Sequence, residues 1–193
     1  MQEILQGKLI LILGPSGCGK GTLIEYLKKN HAEFSYPASY TTRDKRPNET
    51  EGDVYHYISK EEFQQKIEAD EFLEWAIVHQ DNYYGTSKKD ILEGLKAGKT
   101  VVREVDIQGV ESITKLLAKQ NYSTIFITTP TWDELAERIK NRAAISEEEL
   151  ENRRQSYLKE KEFEPKADFV ILSQTGNIEK AFQDLEQILQ KLN

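Results

Sequence analysis

A glycine-rich segment from Gly14 to Lys20 restricts the fold of this chain more than any other part of the sequence. It has the pattern G-x-x-x-x-G-K, follows a continuous apolar run from Leu9 to Leu13 and precedes a helical pattern from Thr22 to Lys29. Such an apolar run is typical of a strand buried on both faces of a parallel sheet. The order of strand, glycine-rich loop and helix is that of a phosphate-binding loop.

Each part of this loop suits a polyphosphate ligand. Glycines allow backbone N–H groups to approach phosphate oxygens closely, and the helix that follows adds its positive N-terminal end. Lys20 supplies a positive charge for the β- and γ-phosphates. The motif indicates a nucleotide but not a reaction. We predict that the nucleotide phosphates are bound by Gly14, Pro15, Ser16, Gly17, Cys18, Gly19, Lys20, Gly21 and Thr22.

The loop contains a glycine where a hydroxyl residue is usual, and a cysteine. Gly21 stands where a serine or threonine usually binds magnesium, and the next hydroxyl belongs to Thr22. We therefore predict no protein metal site and expect Mg²⁺ to be held mainly by phosphate oxygens and water, which it tolerates well. Cys18 is expected to fill a small space and contribute its backbone, rather than to act as a reactive thiol.

The rest of the chain alternates apolar runs with helical patterns. The runs Thr100–Val102, Thr124–Ile127 and Phe169–Leu172 predict further buried strands. Capping boxes predict two helix starts, and an apolar face at three-and-four spacing predicts a last helix; the residues are Thr131 with Glu134, Ser146 with Glu149, and Ile178 to Leu192. Alternating strands and helices predict an α/β fold with a parallel sheet.

Two segments interrupt this alternation. Residues 35–87 are rich in tyrosine, threonine and charge, and predict a small mixed insertion with a helix from about Glu61 to Ala69. Residues 138–154 are densely charged and predict a helix–loop–helix excursion.

Composition excludes several classes of function. The formal net charge is −7, from 26 basic and 33 acidic residues, which disfavours a nucleic acid polymer as partner. A single cysteine excludes an intrachain disulfide, and the absence of a His/Cys cluster leaves no structural zinc site. We see neither a signal peptide nor an apolar run long enough to span a membrane, and we expect a cytoplasmic protein.

The segment after the phosphate loop resembles a known family. Ser39 to Tyr55 has the pattern S-x-T-T-R-x-x-R-x-x-E-x-x-G-x-x-Y, and it is followed in order by E-F-L-E-W at 71–75, N-Y-Y-G-T at 82–86 and E-V-D-I-Q-G at 104–109. These blocks are similar, in order and spacing, to those of guanylate kinases, which are P-loop nucleoside monophosphate kinases. The resemblance extends from about Leu9 to Glu149 and is weaker elsewhere.

The resemblance implies an activity and an architecture. The activity is Mg²⁺-dependent phosphoryl transfer from ATP to GMP, giving ADP and GDP. The fold is that of P-loop NTPases, with a five-stranded parallel core sheet, a mixed α/β insertion that binds GMP and a helical lid. The core would comprise residues 1–37, 88–137 and 155–193, the insertion 38–87 and the lid 138–154.

The residues of the insertion suit a nucleoside monophosphate. A phosphate dianion requires donors, and arginine can donate paired hydrogen bonds to it; the candidates are Ser39, Arg43, Arg46, Tyr55 and Tyr84. Guanine presents two adjacent donors, which a single carboxylate can accept. By resemblance Glu74 has this role, with Thr86 and Asp106 near the base. The alternatives are a solvated charged turn, a surface glutamate and a turn aspartate.

By resemblance, arginines of the lid contact the transferring phosphoryl group. Arg138 and Arg142 match one pair, and Arg153 matches a third arginine, although Arg154 is an alternative to it. Phosphoryl transfer depends mainly on positioning and on charge stabilisation, so these residues and Lys20 are the catalytic candidates. The alternative is a salt bridge on the helix surface, because Glu134 precedes Arg138 by four residues.

Three segments depart from the family pattern. Ala143-Ala144-Ile145 replaces a glycine-containing segment of the lid, and Ser173-Gln174 replaces Asn-Asp after the last strand, so lid mobility and strict use of ATP are both in question. Arg103 occupies a strand position that is normally apolar and, if buried, would need a carboxylate partner from another element. His31, His56 and His79 match no catalytic pattern.

Two other functions are alternatives to this activity. Some domains of this kind are scaffolds that bind peptides at the former GMP site, but these typically lack an intact phosphate loop. The chain could also phosphorylate another monophosphate, such as dGMP, IMP or a sugar phosphate, although Glu74 and Thr86 favour guanine.

Overall fold

The computed structural model describes residues 5–78, 82–142 and 144–192. Ala143 of the predicted lid and His79 lie outside these residues. In chain order the elements are β1 (Lys8–Leu13), α1 (Lys20–Asn30), β2 (Ser39–Thr41), β3 (Tyr55–Tyr57), α2 (Lys60–Glu68), β4 (Phe72–Val78), β5 (Asn82–Ser87), α3 (Lys88–Lys96), β6 (Thr100–Glu104), α4 (Ile107–Leu116), β7 (Tyr122–Thr128), α5 (Trp132–Arg142), α6 (Glu147–Lys161), β8 (Phe169–Leu172) and α7 (Ile178–Leu192).

The strands form two four-stranded sheets. The first has the order β6-β1-β7-β8, and its β7 and β8 pair in parallel with Ile127 opposite Ile171. The second has the order β3-β2-β5-β4 and is mixed, because β2 pairs in parallel with β3 and antiparallel with β5. The predicted α/β fold with a parallel sheet and a mixed insertion is confirmed.

The prediction of a fifth core strand is not confirmed. In place of a strand, Ser35 makes an isolated parallel bridge to Val101, donating its N–H to Thr100 O and accepting from Val102 N. The next residue on the same side of this ladder is Pro37. Because proline has no N–H to donate, the pairing ends after one residue.

The predicted strands differ in how far their side chains are buried. Every residue of β1 from Leu9 to Leu13 is buried. The expectation that β8 is buried on both faces was wrong, since Val170 and Leu172 are 45% and 46% exposed while Ile171 is fully buried. β8 is the last strand in the sheet order, and its side chains alternate between a covered and an open face.

The predicted helix starts are present, with one difference. The hydroxyls of Thr131 and Ser146 accept hydrogen bonds from the backbone N–H groups three residues later, as N-caps do. The carboxylates of Glu134 and Glu149 instead accept from arginines of their own helices. None of the helices among the described residues has the length and apolarity needed to cross a membrane.

The chain divides into two compact units. The first contains the described residues up to Leu9, Glu33–Arg103 and Gln108–Tyr122; the second contains those of Ile10–Ala32, Glu104–Ile107 and Ser123–Asn193. In the first unit the ring of Phe63 stacks on Phe72 at 4.4 Å, and a side chain at Gly85 would collide with both rings. In the second, Tyr26 stacks on Phe182 of α7 at 4.1 Å. The predicted boundaries of core, insertion and lid stay a prediction.

Candidate functional site

In the loop from Gly14 to Lys20, glycines occupy positions whose backbone angles other residues rarely adopt. Gly14 and Gly19 have φ angles of 139° and 106°. A Cβ atom at Gly14 would lie 2.2 Å from the carbonyl oxygen of Ile127, so this position excludes every other residue. Gly19 is the N-cap of α1, so the loop leads directly into the positive end of that helix.

Lys20 lies over this loop. Its Nζ donates to the carbonyl oxygens of Gly14 and Pro15 at 2.7 and 3.1 Å and lies 3.5 Å from Oε1 of Glu104. The Lys20 side chain is only 13% exposed. A phosphate group in the loop would compete with these carbonyls for the ammonium, which the flexible lysine stem permits.

The surroundings of Cys18, Gly21 and Thr22 are consistent with phosphate binding by the backbone of the loop. Cys18 is fully buried, and burial raises the pKa of its thiol to about 11, so the group is a neutral thiol at physiological pH. Gly21 and Thr22 are exposed at the start of α1, and a Cβ at Gly21 would meet no atom within 4 Å.

Arg138 of α5 connects the phosphate loop with the segment after β8. It donates to the Cys18 carbonyl, to Oγ and O of Ser173, to Oγ1 of Thr175 and, at 2.7 Å, to Glu134. Hydrogen bonds from Thr175, together with that from Arg138, lower the pKa of Glu134 and keep it ionised. The guanidinium therefore sits within a polar network at the edge of the loop.

The remaining lid arginines have different surroundings. Nη1 of Arg153 donates to Oγ of Ser16 in the phosphate loop at 3.1 Å, and Nη2 donates to Glu149 at 2.8 Å. Arg154 lies 3.8 Å from Glu151 and lines a separate cavity of about 330 Å³ with Trp132, Lys140, Ile145, Ser146, Glu147, Leu150 and Glu151. Arg142 is exposed at the last residue of α5.

In the first unit, the arginine that follows β2 is paired with a glutamate. Arg43 donates to both carboxylate oxygens of Glu49, and its guanidinium lies 5.3 and 5.6 Å from the ring centres of Tyr55 and Tyr57. The hydrogen bonds from Arg43, and further ones from Arg46 N and the Tyr57 hydroxyl, lower the pKa of Glu49 to about 2.

Two more of the phosphate-binding candidates lie beside Arg43. The rings of Tyr55 and Tyr84 meet edge to face at 5.7 Å. A side-chain hydrogen bond with Tyr84 adds to that of Glu49 in raising the pKa of Arg43. Arg46 contributes its backbone N–H to Glu49, while its side chain is exposed.

The candidate base-binding residues lie on neighbouring strands. Glu74 of β4 and Thr86 of β5 are opposite each other in the antiparallel register, and the Thr86 hydroxyl donates to Oε1 of Glu74 at 2.5 Å. Buried Arg103 donates to Oγ1 of Thr86 at 2.8 Å and to Oγ of Ser39 at 2.6 Å. A carboxylate held in this way can accept two hydrogen bonds from one planar edge.

The sequence model of the family described as "Guanylate kinase" matches residues 6–192. The chain belongs to the guanylate kinase family. It is 38% identical over 184 residues to a guanylate kinase of Synechococcus sp. (strain JA-3-3Ab), covering 95% of this chain and 82% of the relative. It is 40% identical over 187 residues to one of Clostridium tetani, covering 95% of this chain and 86% of the relative.

A solved structure agrees with the fold of the guanylate kinase family. The crystal structure of guanylate kinase from Anaplasma phagocytophilum superposes with a TM-score of 0.71 and 23% sequence identity, over 98% of this chain and 87% of that one. At this identity the superposition supports the fold alone.

Most of the residues predicted for GMP belong to one unit, and those predicted for ATP and the lid to the other. Ser39, Arg43, Glu74 and Thr86 are joined in the first unit by the contacts above. Lys20 and the lid arginines belong to the second. Asp106, predicted to lie near the base, is exposed and belongs to the second unit. The roles of these residues stay predictions.

Sequence reasoning in terms of the guanylate kinase family missed three participants. Glu49 stands in the quoted pattern but was given no role, although it orders Arg43. Glu160 of α6 has its pKa raised by burial, with Lys20 opposing the shift and Asp106 adding to it. The partners of Arg103 were also missed, and they include neutral acceptors of Pro37, Ser39 and Thr86. Of these, only Arg103 could have been singled out from the sequence, because it is a charged residue at a strand position that is normally apolar.

Proposed function

We propose that this chain is an ATP:GMP phosphotransferase that converts ATP and GMP into ADP and GDP. The observation that supports this most directly is the phosphate loop, with left-handed glycines and Lys20 bonded to the carbonyls of Gly14 and Pro15. Curated relatives that the chain covers over more than four fifths of their length bear the name guanylate kinase. A fold of this kind alone would not define the reaction, and the loop together with the paired Glu74 and Thr86 supports this one.

On the donor side, backbone N–H groups of residues 14–20 would surround the β-phosphate of ATP. Lys20 would leave its loop carbonyls and neutralise charge on the β- and γ-phosphates, returning to Glu104 or the carbonyls after transfer. The loop requires no change of backbone for this, since its glycines already hold the curved conformation.

On the acceptor side, the GMP phosphate would be bound by Ser39, Arg43, Arg46, Tyr55 and Tyr84. Arg43 is charged under all physiological conditions, and its two bonds to Glu49 hold the guanidinium beside the rings of Tyr55 and Tyr57. Guanine would donate its N1–H and 2-amino hydrogens to Glu74. Adenine would place a hydrogen-bond acceptor against the same carboxylate. Its binding would be strongly disfavoured where water is excluded, because the carboxylate would have no donor.

The lid arginines would stabilise charge on the transferring phosphoryl group. Arg153 has the most direct support, because it bonds to Ser16 of the phosphate loop. Arg138 contacts the Cys18 carbonyl of the same loop, and Arg142 is the exposed member of the set. Such charges act mainly in the transition state, so their loss should lower kcat more than it raises KM.

Magnesium would enter as the complex with ATP and would supply neutralisation of phosphate charge. Among residues 5–78, 82–142 and 144–192 no group of three or more His, Cys, Asp or Glu side chains is placed to hold a metal ion. The exposed Thr22 hydroxyl, near the loop, fits an ion held chiefly by phosphate and water. A cytoplasmic location belongs to the same proposal and stays a prediction.

The two alternative functions are a silent binding module and a kinase for another monophosphate. The first would leave Lys20 and the arginines at the loop without a ligand, and a monophosphate that lacks guanine would leave the Glu74–Thr86 pair without the base it suits. The substitution of Ser173-Gln174 for Asn-Asp concerns the adenine side, so donors other than ATP belong in the test.

The deciding experiment measures formation of the nucleoside diphosphate from Mg-ATP and one acceptor at a time: GMP, dGMP, AMP, CMP or UMP. The same series is repeated with GTP as the phosphate donor. We expect activity on GMP, or on GMP and dGMP, that Lys20→Ala abolishes. Lys29→Ala, an exposed lysine on the same helix, is the matched control and should behave as the wild type. A folded wild-type protein that transfers phosphate to none of the acceptors would contradict the proposal and favour the binding module.

A further inference from the structure

Arg103 is a positively charged residue that is almost completely shielded from solvent. It is 8% exposed, lies on β6 directly after buried Val101 and Val102, and is the one charged residue classed as buried among the described residues. Removing a guanidinium from water is unfavourable unless its N–H donors find acceptors within the protein. Its partners therefore indicate what the charge is for.

Those partners converge on residues predicted to bind GMP. Nη1 donates to the Pro37 carbonyl at 2.5 Å, and Nη2 donates to Oγ of Ser39 at 2.6 Å and to Oγ1 of Thr86 at 2.8 Å. The Thr86 hydroxyl in turn donates to Glu74. One guanidinium is thus joined through a single hydroxyl to the carboxylate proposed to recognise guanine.

These bonds determine where the two hydroxyl hydrogens point. A hydroxyl oxygen that accepts from an arginine must direct its own hydrogen elsewhere. For Thr86 the direction is Glu74, and for Ser39 the hydrogen becomes available for an anionic oxygen of a ligand. A charged donor also strengthens the next hydrogen bond in the chain, here the one from Thr86 to Glu74.

We propose that Arg103 is a positioning residue that orients Thr86 and Glu74 for guanine and Ser39 for the phosphate of the same nucleotide. This inference rests on the proposed function and extends it, because it assigns the selectivity for guanine to a buried arginine that does not itself touch the base. Arg103 and all its partners named above belong to one compact unit. The KM for ATP should therefore be independent of it.

The test compares GMP with IMP, because IMP lacks the 2-amino group and gives Glu74 one donor instead of two. Arg103→Met keeps the length of the side chain without its charge, and Arg103→Lys keeps the charge without the planar pair of donors. In Arg103→Met we expect kcat/KM for GMP to fall about tenfold or more, the GMP-over-IMP preference to narrow and the KM for ATP to stay unchanged. Arg103→Lys should restore part of the preference.

Asn121→Ala is the control for a purely structural effect. Asn121 is buried in the same unit and bonds to the backbone of Leu5 and Gly7, away from the residues assigned to GMP. Its loss should lower the midpoint of thermal unfolding without changing the GMP-over-IMP preference. A matching change of preference in Asn121→Ala would overturn the inference.

The remaining outcomes separate the inference from the proposed function. An unchanged GMP-over-IMP preference in folded Arg103→Met overturns the inference while the kinase activity stands. If Arg103→Met does not fold, the GMP-over-IMP preference of Arg103→Lys provides the same test. In a Thr86→Val background, Arg103→Lys should not change this preference further, because the hydroxyl through which Arg103 acts is absent. If the wild type transfers no phosphate, the proposed function fails, and calorimetric binding of GMP and IMP to the same variants tests the inference by itself.

Discussion

Arg43 and Glu49 form a bidentate ion pair, with Nη1–Oε2 and Nη2–Oε1 distances of 3.0 and 2.8 Å. The same carboxylate accepts from the Tyr57 hydroxyl and from the backbone N–H of Arg46. Glu49 therefore fixes the orientation of the arginine proposed to bind the GMP phosphate. It also ties the turn after β2 to β3.

This pair predicts a dependence of stability on pH. The pKa of Glu49 is about 2 when folded, below its ordinary value of 4.5, so the unfolded chain takes up this proton first as pH falls. The stabilisation is fully present above pH 4.5 and is lost as pH falls toward 2. In urea unfolding, Glu49→Gln should be less stable than the wild type at neutral pH, with a gap that closes across this window.

Glu25→Gln provides the control, because Glu25 is an exposed carboxylate on α1. It should show no such closing gap. A difference between Glu49→Gln and the wild type that stays constant down to about pH 2 would contradict the assignment of the shift to the Arg43 pair.

Two glycines of the phosphate loop should respond in opposite ways to alanine. At Gly14 the new Cβ would meet the Ile127 carbonyl at 2.2 Å on a backbone with φ of 139°, and we expect a loss of more than about 1 kcal/mol in the free energy of unfolding. At Gly21 the Cβ would be in open space on a helical backbone, and we expect a gain of about 0.5 kcal/mol. Urea unfolding of both variants measures these changes, and equal effects would show that the two glycines are not distinguished by backbone conformation and space.

The single cysteine should be inert in the folded protein. Cys18 is fully buried and its pKa is raised to about 11, whereas reaction with an alkylating reagent requires an accessible thiolate. We expect iodoacetamide labelling at neutral pH to be slower than in denaturant by a factor of at least about a hundred. Labelling at comparable rates in the two conditions would show that the loop opens or that the thiol is exposed.

The two neighbouring arginines of α6 should differ in their effect on catalysis. Arg153 bonds to Ser16 of the phosphate loop, whereas Arg154 lies near Glu151 and lines a different cavity. We expect Arg153→Met to lower kcat at least about tenfold with little change in the KM for ATP, and Arg154→Met to retain wild-type kinetics. Steady-state rates of GDP formation measure both, and the reverse ranking would assign the role to Arg154.

Much of this protein was predictable from local sequence. The phosphate loop, the strands Lys8–Leu13 and Tyr122–Thr128, and the N-caps Thr131 and Ser146 follow from periodicity and short-range hydrogen bonds. The family and the set of candidate residues follow from motifs whose spacing is fixed along the chain. These features depend on residues a few positions apart, which is why sequence alone determines them.

The tertiary structure decided what depends on distant residues. The predicted fifth core strand is represented by one bridge because Pro37 has no N–H to donate, and β8 is half exposed because its side chains alternate between a covered and an open face. Arg103 finds Pro37, Ser39 and Thr86 at separations of 66, 64 and 17 residues. Its charge was visible in the sequence, but the hydroxyls that surround it are brought there only by folding, because a buried guanidinium is satisfied by whichever acceptors the packed elements present.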